Sequence, residues 1–329
     1  MSKKYWTLGM AGIVLIFCFF IFQFLSSTWK IDHLVKQMTP GKAGNEADKH
    51  VVLIAQEQDN PFWRTVEKGA REAAAQLGMQ IDYMGPIRIN PAEQTSLLEK
   101  SIAAKPDAIL LQGIKEQSYE QLINKAADLG IPVITVDADA RASRRLAYVG
   151  TDNREAGKRM GELVVNEAGG KGRIGVIIGS EQADNQQLRL EGLRSMIANH
   201  KGFEIVAVRS SNISRIHAAK QTEAMMTENA GIQTMVGLSS LDAAGIVEGL
   251  KAVNRSDIRV FGFDDLDETR QGIAQGDITA AVVQHPQEIG AKSVRLLSEF
   301  LKGNSLDAEY FTTTDILDRK GLSSAVSSP

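Results

Sequence analysis

Val51-Val52-Leu53-Ile54-Ala55-Gln56-Glu57-Gln58-Asp59-Asn60-Pro61-Phe62-Trp63 is the stretch whose reading decides the fold. Its apolar, β-branched opening has the composition of a strand covered on both faces. A polar turn follows, and Pro61, tolerated in the first turn of a helix, starts an amphipathic run that reaches Leu77. A buried strand passing through a polar turn into a helix is the opening unit of a parallel sheet with crossover helices.

The alternation then repeats roughly every 25 residues. Strands are expected at Met79–Met84, Ala108–Leu111 and Pro132–Asp137, with helices at Pro91–Ala103 and Ser118–Leu129. After a helix at Asn153–Glu167 come strands at Ile174–Ile178, Phe203–Val208, Thr234–Leu238, Arg259–Phe263 and Ala280–Gln284. The helices between and beyond them are expected at Gln186–His200, Ser214–Glu228, Leu241–Val253, Asp267–Gln275 and Pro286–Lys302, before a last strand near Tyr310–Thr314. The fold class is therefore α/β, with two doubly wound parallel-sheet lobes. A chain of 329 residues, 43% hydrophobic and 23% charged, can bury a core in each of two lobes of roughly 100–150 residues. Its formal net charge of -3 lacks the basic surplus of a nucleic-acid surface.

The N-terminus stands apart. Tyr5 to Trp29 carries no charge, and Leu8–Leu25 is almost wholly apolar, long enough to span a bilayer as a helix. Lys3 and Lys4 before it place the N-terminus in the cytoplasm. The expectation is a single-pass cell-membrane protein with a cytoplasmic tip and transmembrane anchor at 1–30, a tether at 31–49 and an extracytoplasmic folded domain. A cleavable signal peptide competes with this reading, but it has a shorter apolar region and a small-x-small site, for which only Ser26-Ser27-Thr28 is available. Cys18, the only cysteine, follows Phe17 rather than the small residue that lipid attachment needs, and one cysteine excludes an internal disulfide.

In open α/β sheets ligands sit beyond the carboxyl ends of the strands. The residues there are polar: Gln56, Asp59, Asn60, Gln112, Asp137, Asp139, Ser180, Ser239, Ser240, Asp264, Asp265 and Gln284. No G-x-G-x-x-G, no G-x-x-x-x-G-K-[ST], no G-x-S-x-G and no paired-histidine zinc spacing occurs. No catalytic residue, metal or cofactor is expected, and the five histidines are read as surface or capping residues.

With these elements in order, the chain resembles the type I periplasmic binding proteins, specifically the ribose- and galactose-type sugar-binding branch. The resemblance covers His50 to about Lys320. It rests on Asn60-Pro61-Phe62-Trp63, Ile131-Pro132-Val133-Ile134-Thr135-Val136-Asp137, Gly150-Thr151-Asp152-Asn153, Val260-Phe261-Gly262-Phe263-Asp264 and Gln284-x-Pro286-x-x-Ile289-Gly290. Each motif is weak alone, and their common order makes the match specific. The resemblance implies lobes at 50–152 plus 285–312 and at 153–284 plus 313–320, a three-strand hinge, closure by hinge bending and a tail at 321–329. Repressors that share this fold begin with a helix-turn-helix, which the anchor replaces here, so DNA is not an expected partner.

Carried over residue by residue, the resemblance implies that Phe62 and Trp63 sandwich the ligand, while Asn60, Asp137, Asp264 and Gln284 meet its polar groups. The ordinary alternatives are core packing for the aromatic pair and strand-end capping for the polar residues. Ala138 and Gln187 stand where the ribose branch has arginines, and Ser240 stands where it has an aspartate. Ribose is therefore disfavoured. A deoxy-sugar, another pentose, a polyol or a furanosyl compound fits better, and a lost site is a further alternative. Asp139, Arg141, Asp184 or Arg189 could supply substitute charges, although the default for each is a solvated loop or helix charge. The expected function is a receptor, not an enzyme, that presents its closed form to an ABC-type permease or a membrane sensor kinase. An enzyme on the same frame is the reading of a different class.

Overall fold

The computed structural model describes residues 49–167 and 169–326. They form two lobes, each a six-stranded sheet covered by helices on both faces. The first half of the chain gives β1 (Lys49–Ile54), α1 (Pro61–Leu77), β2 (Met79–Met84), α2 (Pro91–Ala104), β3 (Ala108–Leu111), α3 (Gln117–Asp128), β4 (Val133–Val136) and β5 (Ala147–Thr151). The second half gives α4 (Asn153–Glu167), β6 (Gly172–Ile178), α5 (Asp184–Ala198), β7 (Phe203–Ser210), α6 (Arg215–Glu228), β8 (Thr234–Gly237), α7 (Asp242–Ala252), β9 (Arg259–Phe263), α8 (Asp267–Gln275) and β10 (Ala280–Val283). The chain ends with α9 (Pro286–Leu301), β11 (Glu309–Thr312), β12 (Asp315–Asp318) and α10 (Arg319–Val326).

The first sheet has the order β11-β5-β4-β3-β1-β2 and the second β12-β10-β9-β8-β6-β7. All neighbours are parallel except β10 and β12, which pair antiparallel from Ala280 opposite Asp318 to Val283 opposite Asp315. The chain thus passes between the sheets after β5, after β10 and after β11. The pleat explains the apolar runs. Val51, Leu53 and Ala55 point into the core under α1 and α9, while Val52 and Ile54 point into the core under α2 and α3. The second sheet divides alike, with Ile174, Val176 and Ile178 on one face and Ile177 on the other.

Two helix pairs lie in very close contact, and both lead from a crossing to the cleft. A methyl group at Gly157 of α4 would overlap the Arg189 carbonyl of α5, and one at Gly192 of α5 would overlap that of Arg154. Gly69 of α1 and Gly290 of α9 repeat the arrangement against Gln287 and Val66.

Several expectations are corrected. No strand is expected at Ala147–Thr151, yet β5 pairs with both β4 and β11. Lys49, assigned to the tether, opens β1 opposite Met79. Residues 313–320, expected at the end of the second lobe, do carry β12 of its sheet, but the expected tail from 321 continues α10, because Asp318 Oδ1 accepts from Gly321 N at 2.7 Å and Leu322 packs on the second lobe's core. Among the described residues no helix is long and apolar enough to cross a membrane. The anchor expected at 1–30 lies outside them.

Candidate functional site

β4 and β9 end the same way, one in each lobe. Asp137 and Asp264, the residues that follow them, take left-handed backbone conformations with φ of 65° and 64°. Each is held by its N–H donating to the neighbouring strand, at Val149 O (3.1 Å) and Val282 O (2.8 Å). Such φ values are uncommon for non-glycine residues. Here they turn both carboxylates off the strand ends into the space between the lobes.

α1 enters that space from the first lobe. Asn60 is its N-cap: Oδ1 accepts from Phe62 N at 3.0 Å and Nδ2 donates to Glu57 Oε2 at 3.2 Å. Phe62 and Trp63, in edge contact with centroids 5.8 Å apart, belong to the core of the lobe and also line the cleft. The pair thus packs in the core with part of its surface toward the cleft.

From the second lobe comes α5. Asn185 Nδ2 donates across the cleft to Asp137 Oδ2 at 3.0 Å, and Gln112 Nε2 donates to the same oxygen at 3.1 Å. One turn later lies Arg189, among the largest fully buried side chains of the molecule. Its Nε donates to Asn153 Oδ1 (2.8 Å), Nη1 to Leu238 O (2.9 Å) and Nη2 to Gln284 Oε1 (2.9 Å). The guanidinium also stacks 3.9 Å from the Phe263 ring centroid, a favourable place for a desolvated cation. Gln284, at the second crossing, also accepts from Thr151 Oγ1 (2.7 Å) and donates to Asp264 Oδ1 (2.9 Å). Hinge and cleft thus share one buried network.

The cavity so formed is small, about 30 Å³, room for only about one or two waters. Of the residues expected in the site, Asn60, Phe62, Trp63, Asp137, Ser240, Asp264 and Gln284 line it. Gln187 does not; its Nε2 donates to Glu181 O at 2.9 Å. Gln56, Asn185, Gln186, Arg189 and Ser239 line it as well. Two charges expected to be solvated are buried. Arg189 is one, and Asp139 is the other, bound by Arg145 Nε, by Arg145 Nη2 at 2.7 Å and by Thr135 Oγ1 at 2.7 Å. The helical spacing from Asn185 to Arg189 is the sequence signal that points to one inward face of α5.

Burial governs the ionisation of the site. It raises the Asp137 carboxyl above its ordinary range, against the opposing pull of Arg189 and the Gln112 and Asn185 donors. It raises Asp264 to about 6 against Arg189 and Gln284, and it holds Arg189 below its usual value. No group of His, Cys, Asp and Glu among the described residues is arranged to hold a metal ion.

Comparison with known proteins fits this geometry. Residues 51–305 match the family model of the periplasmic binding protein domain. The ribose import binding protein RbsB of Escherichia coli K12 is 25% identical over 260 residues, covering 79% of this chain and 87% of that protein. The glucose-galactose binding protein GanP of Geobacillus stearothermophilus superposes with a TM-score of 0.81 at 39% identity, covering 84% of this chain and 99% of that one. A XylFII-LytSN complex contains a chain that superposes with a TM-score of 0.79 at 29% identity, covering 84% of this chain and 100% of that one. RbsB and GanP are binding proteins rather than enzymes. The single-pass membrane localisation is corrected by the relatives: RbsB, matched over 79% of this chain, is an import binding protein, and the matching family model is that of the periplasmic binding protein domain. By the match over most of its length, the chain belongs to the periplasmic binding protein family.

Proposed function

We propose that the protein is a solute receptor that closes its two lobes on a small sugar or sugar-like ligand and presents the closed form to an ABC-type permease. One observation carries this reading. A single cavity combines the apolar faces of Phe62 and Trp63 with carboxylates from opposite lobes, Asp137 and Asp264. Sugars need this pairing, because their C–H faces seek apolar surface while each buried hydroxyl must be hydrogen-bonded. The relatives that bind ribose and glucose or galactose support the ligand class. Asn60, Phe62, Trp63, Asp137, Ser240, Asp264 and Gln284 are the proposed contacts, and Arg189 with Asn185 replaces Gln187 as the contribution of α5.

A thermal-shift screen of the full-length chain against pentoses, hexoses, deoxy-sugars and polyols tests the proposal, since a ligand of the native state raises Tm. At least one compound is expected to do so, and Trp63→Phe, which keeps the core filled, is expected to reduce that shift. A screen in which nothing raises Tm refutes the ligand class.

A second reading of the partner rests on the XylFII-LytSN complex, in which this fold is found with a second protein. Purification under mild detergent separates the two. Recovery of permease subunits alone supports the first partner, and recovery of a sensor kinase without them supports the second.

A further inference from the structure

The charge inventory of the cavity does not balance. Only Asp137, Asp264 and Arg189 among its lining residues carry charge, so two buried carboxylates face one buried guanidinium. That guanidinium is already committed to Asn153 Oδ1, Leu238 O and Gln284 Oε1 and covered by the Phe263 ring. Its nearest approach to Asp137 is 4.0 Å, to Oδ1, beyond hydrogen-bond reach. Asp242, buried just behind the cavity with Ser211 Oγ at 2.6 Å and Ser239 N at 2.8 Å, adds a further negative group rather than relief.

The unused acceptors lie on both sides of the cleft. Asp137 Oδ2 takes both donors of that carboxylate, and Asp264 Oδ1 takes the donor from Gln284. Asp137 Oδ1 and Asp264 Oδ2 therefore have no hydrogen-bond donor among the described residues. Ser239 Oγ, in the same lining and 3% exposed, also has no partner. A buried carboxylate without a counter-charge is costly, and hydroxyl donors would satisfy its lone pairs without neutralising it. An ammonium group supplies both, with donors to spare for oxygens from two lobes.

We infer that the ligand carries one cationic amine, as an amino sugar or an aminated polyol does, and that this amine is held between the carboxylates of Asp137 and Asp264. The inference rests on the sugar-receptor reading and narrows it. Bridging by the amine joins the lobes, so charge recognition and closure become one event. Ser239 Oγ is left to meet a neighbouring ligand hydroxyl.

Calorimetric titration of the full-length chain with matched pairs tests this: D-glucosamine against D-glucose, D-galactosamine against D-galactose and aminated against plain inositol, with N-acetylglucosamine as the same nitrogen without its charge. In at least one pair the amine is expected to bind about tenfold or more tightly than its hydroxyl parent, and N-acetylation is expected to remove the advantage. Asp264→Asn keeps the acceptor used by Gln284 and is expected to weaken both members of a pair and to bring their ratio to about one. Equal or tighter binding of the neutral parent in every pair overturns the inference and leaves the sugar reading intact. Survival of the preference in both Asp264→Asn and Asp137→Asn overturns the bridging site. If no member of any pair binds, the inference and the sugar reading fall together.

Discussion

Asp242 is a carboxylate with two good donors and no cation, and burial raises it from 3.8 to about 6. The folded state therefore holds its proton more tightly than the unfolded chain. The stabilisation linked to that proton is fully present below about pH 3.8 and is lost as pH rises through about 6. An order of magnitude of 2–3 kcal/mol is at stake. Asp242→Asn can still accept from Ser239 N while donating to Ser211 Oγ. Urea titrations at about pH 4 and pH 7 should therefore show the variant gaining on the native chain as pH rises; a constant difference would contradict the assignment. The neighbouring residues mark the reach of sequence reading. Asp137, Asp264 and Gln284 were legible because they follow strand ends. Arg189 was not: motif matching pointed to Gln187, and a lone arginine on a helix reads as solvated. Only the Phe263 ring and three acceptors from separate segments make its burial tolerable, and none of these is near it in sequence. Ser239 and Ser240 were equally visible, and nothing local distinguished the hydroxyl left without a partner.

At the scale of elements, the reciprocal glycines matter most. α4 begins at the first crossing and α9 at the second, and each is locked against the helix that carries cleft residues, α5 and α1 respectively. A methyl at Gly157 or Gly192 must push α4 and α5 apart, moving Asn185 and Arg189 without touching the cavity. Gly157→Ala is expected to cost about 1–3 kcal/mol in chemical denaturation and to weaken ligand binding in calorimetry. Unchanged affinity in a destabilised variant would show that the pair only packs. The strands and major helices were readable from their alternation, because fully buried strands leave no ambiguity of face. β5 and β12 were less so: the first is broken by glycine, and the second is half exposed and defined by its antiparallel pairing with β10.

For the whole molecule, the order of motifs pointed to two lobes crossed three times, and the two sheets follow that path. No single segment reveals the closed arrangement, because its contacts join residues far apart in sequence. Asn185 donates to Asp137, and Arg189 reaches Gln284. The first bond bridges parts that must separate for a solute to enter, and the second ties α5 to the crossing. Asn185→Ala removes one of them and leaves the Asp137 carboxylate short of a donor. It is expected to weaken ligand binding by roughly threefold to thirtyfold, the range of one lost hydrogen bond, as read by calorimetry; unchanged binding would remove Asn185 from the closing contacts. The central claim is that the lobes close on a ligand held between them. Small-angle X-ray scattering of the full-length chain, with and without a sugar that raises its Tm, tests this most directly. The account predicts a smaller radius of gyration with the sugar and a smaller change in Asn185→Ala; an identical scattering profile with and without bound sugar would contradict it.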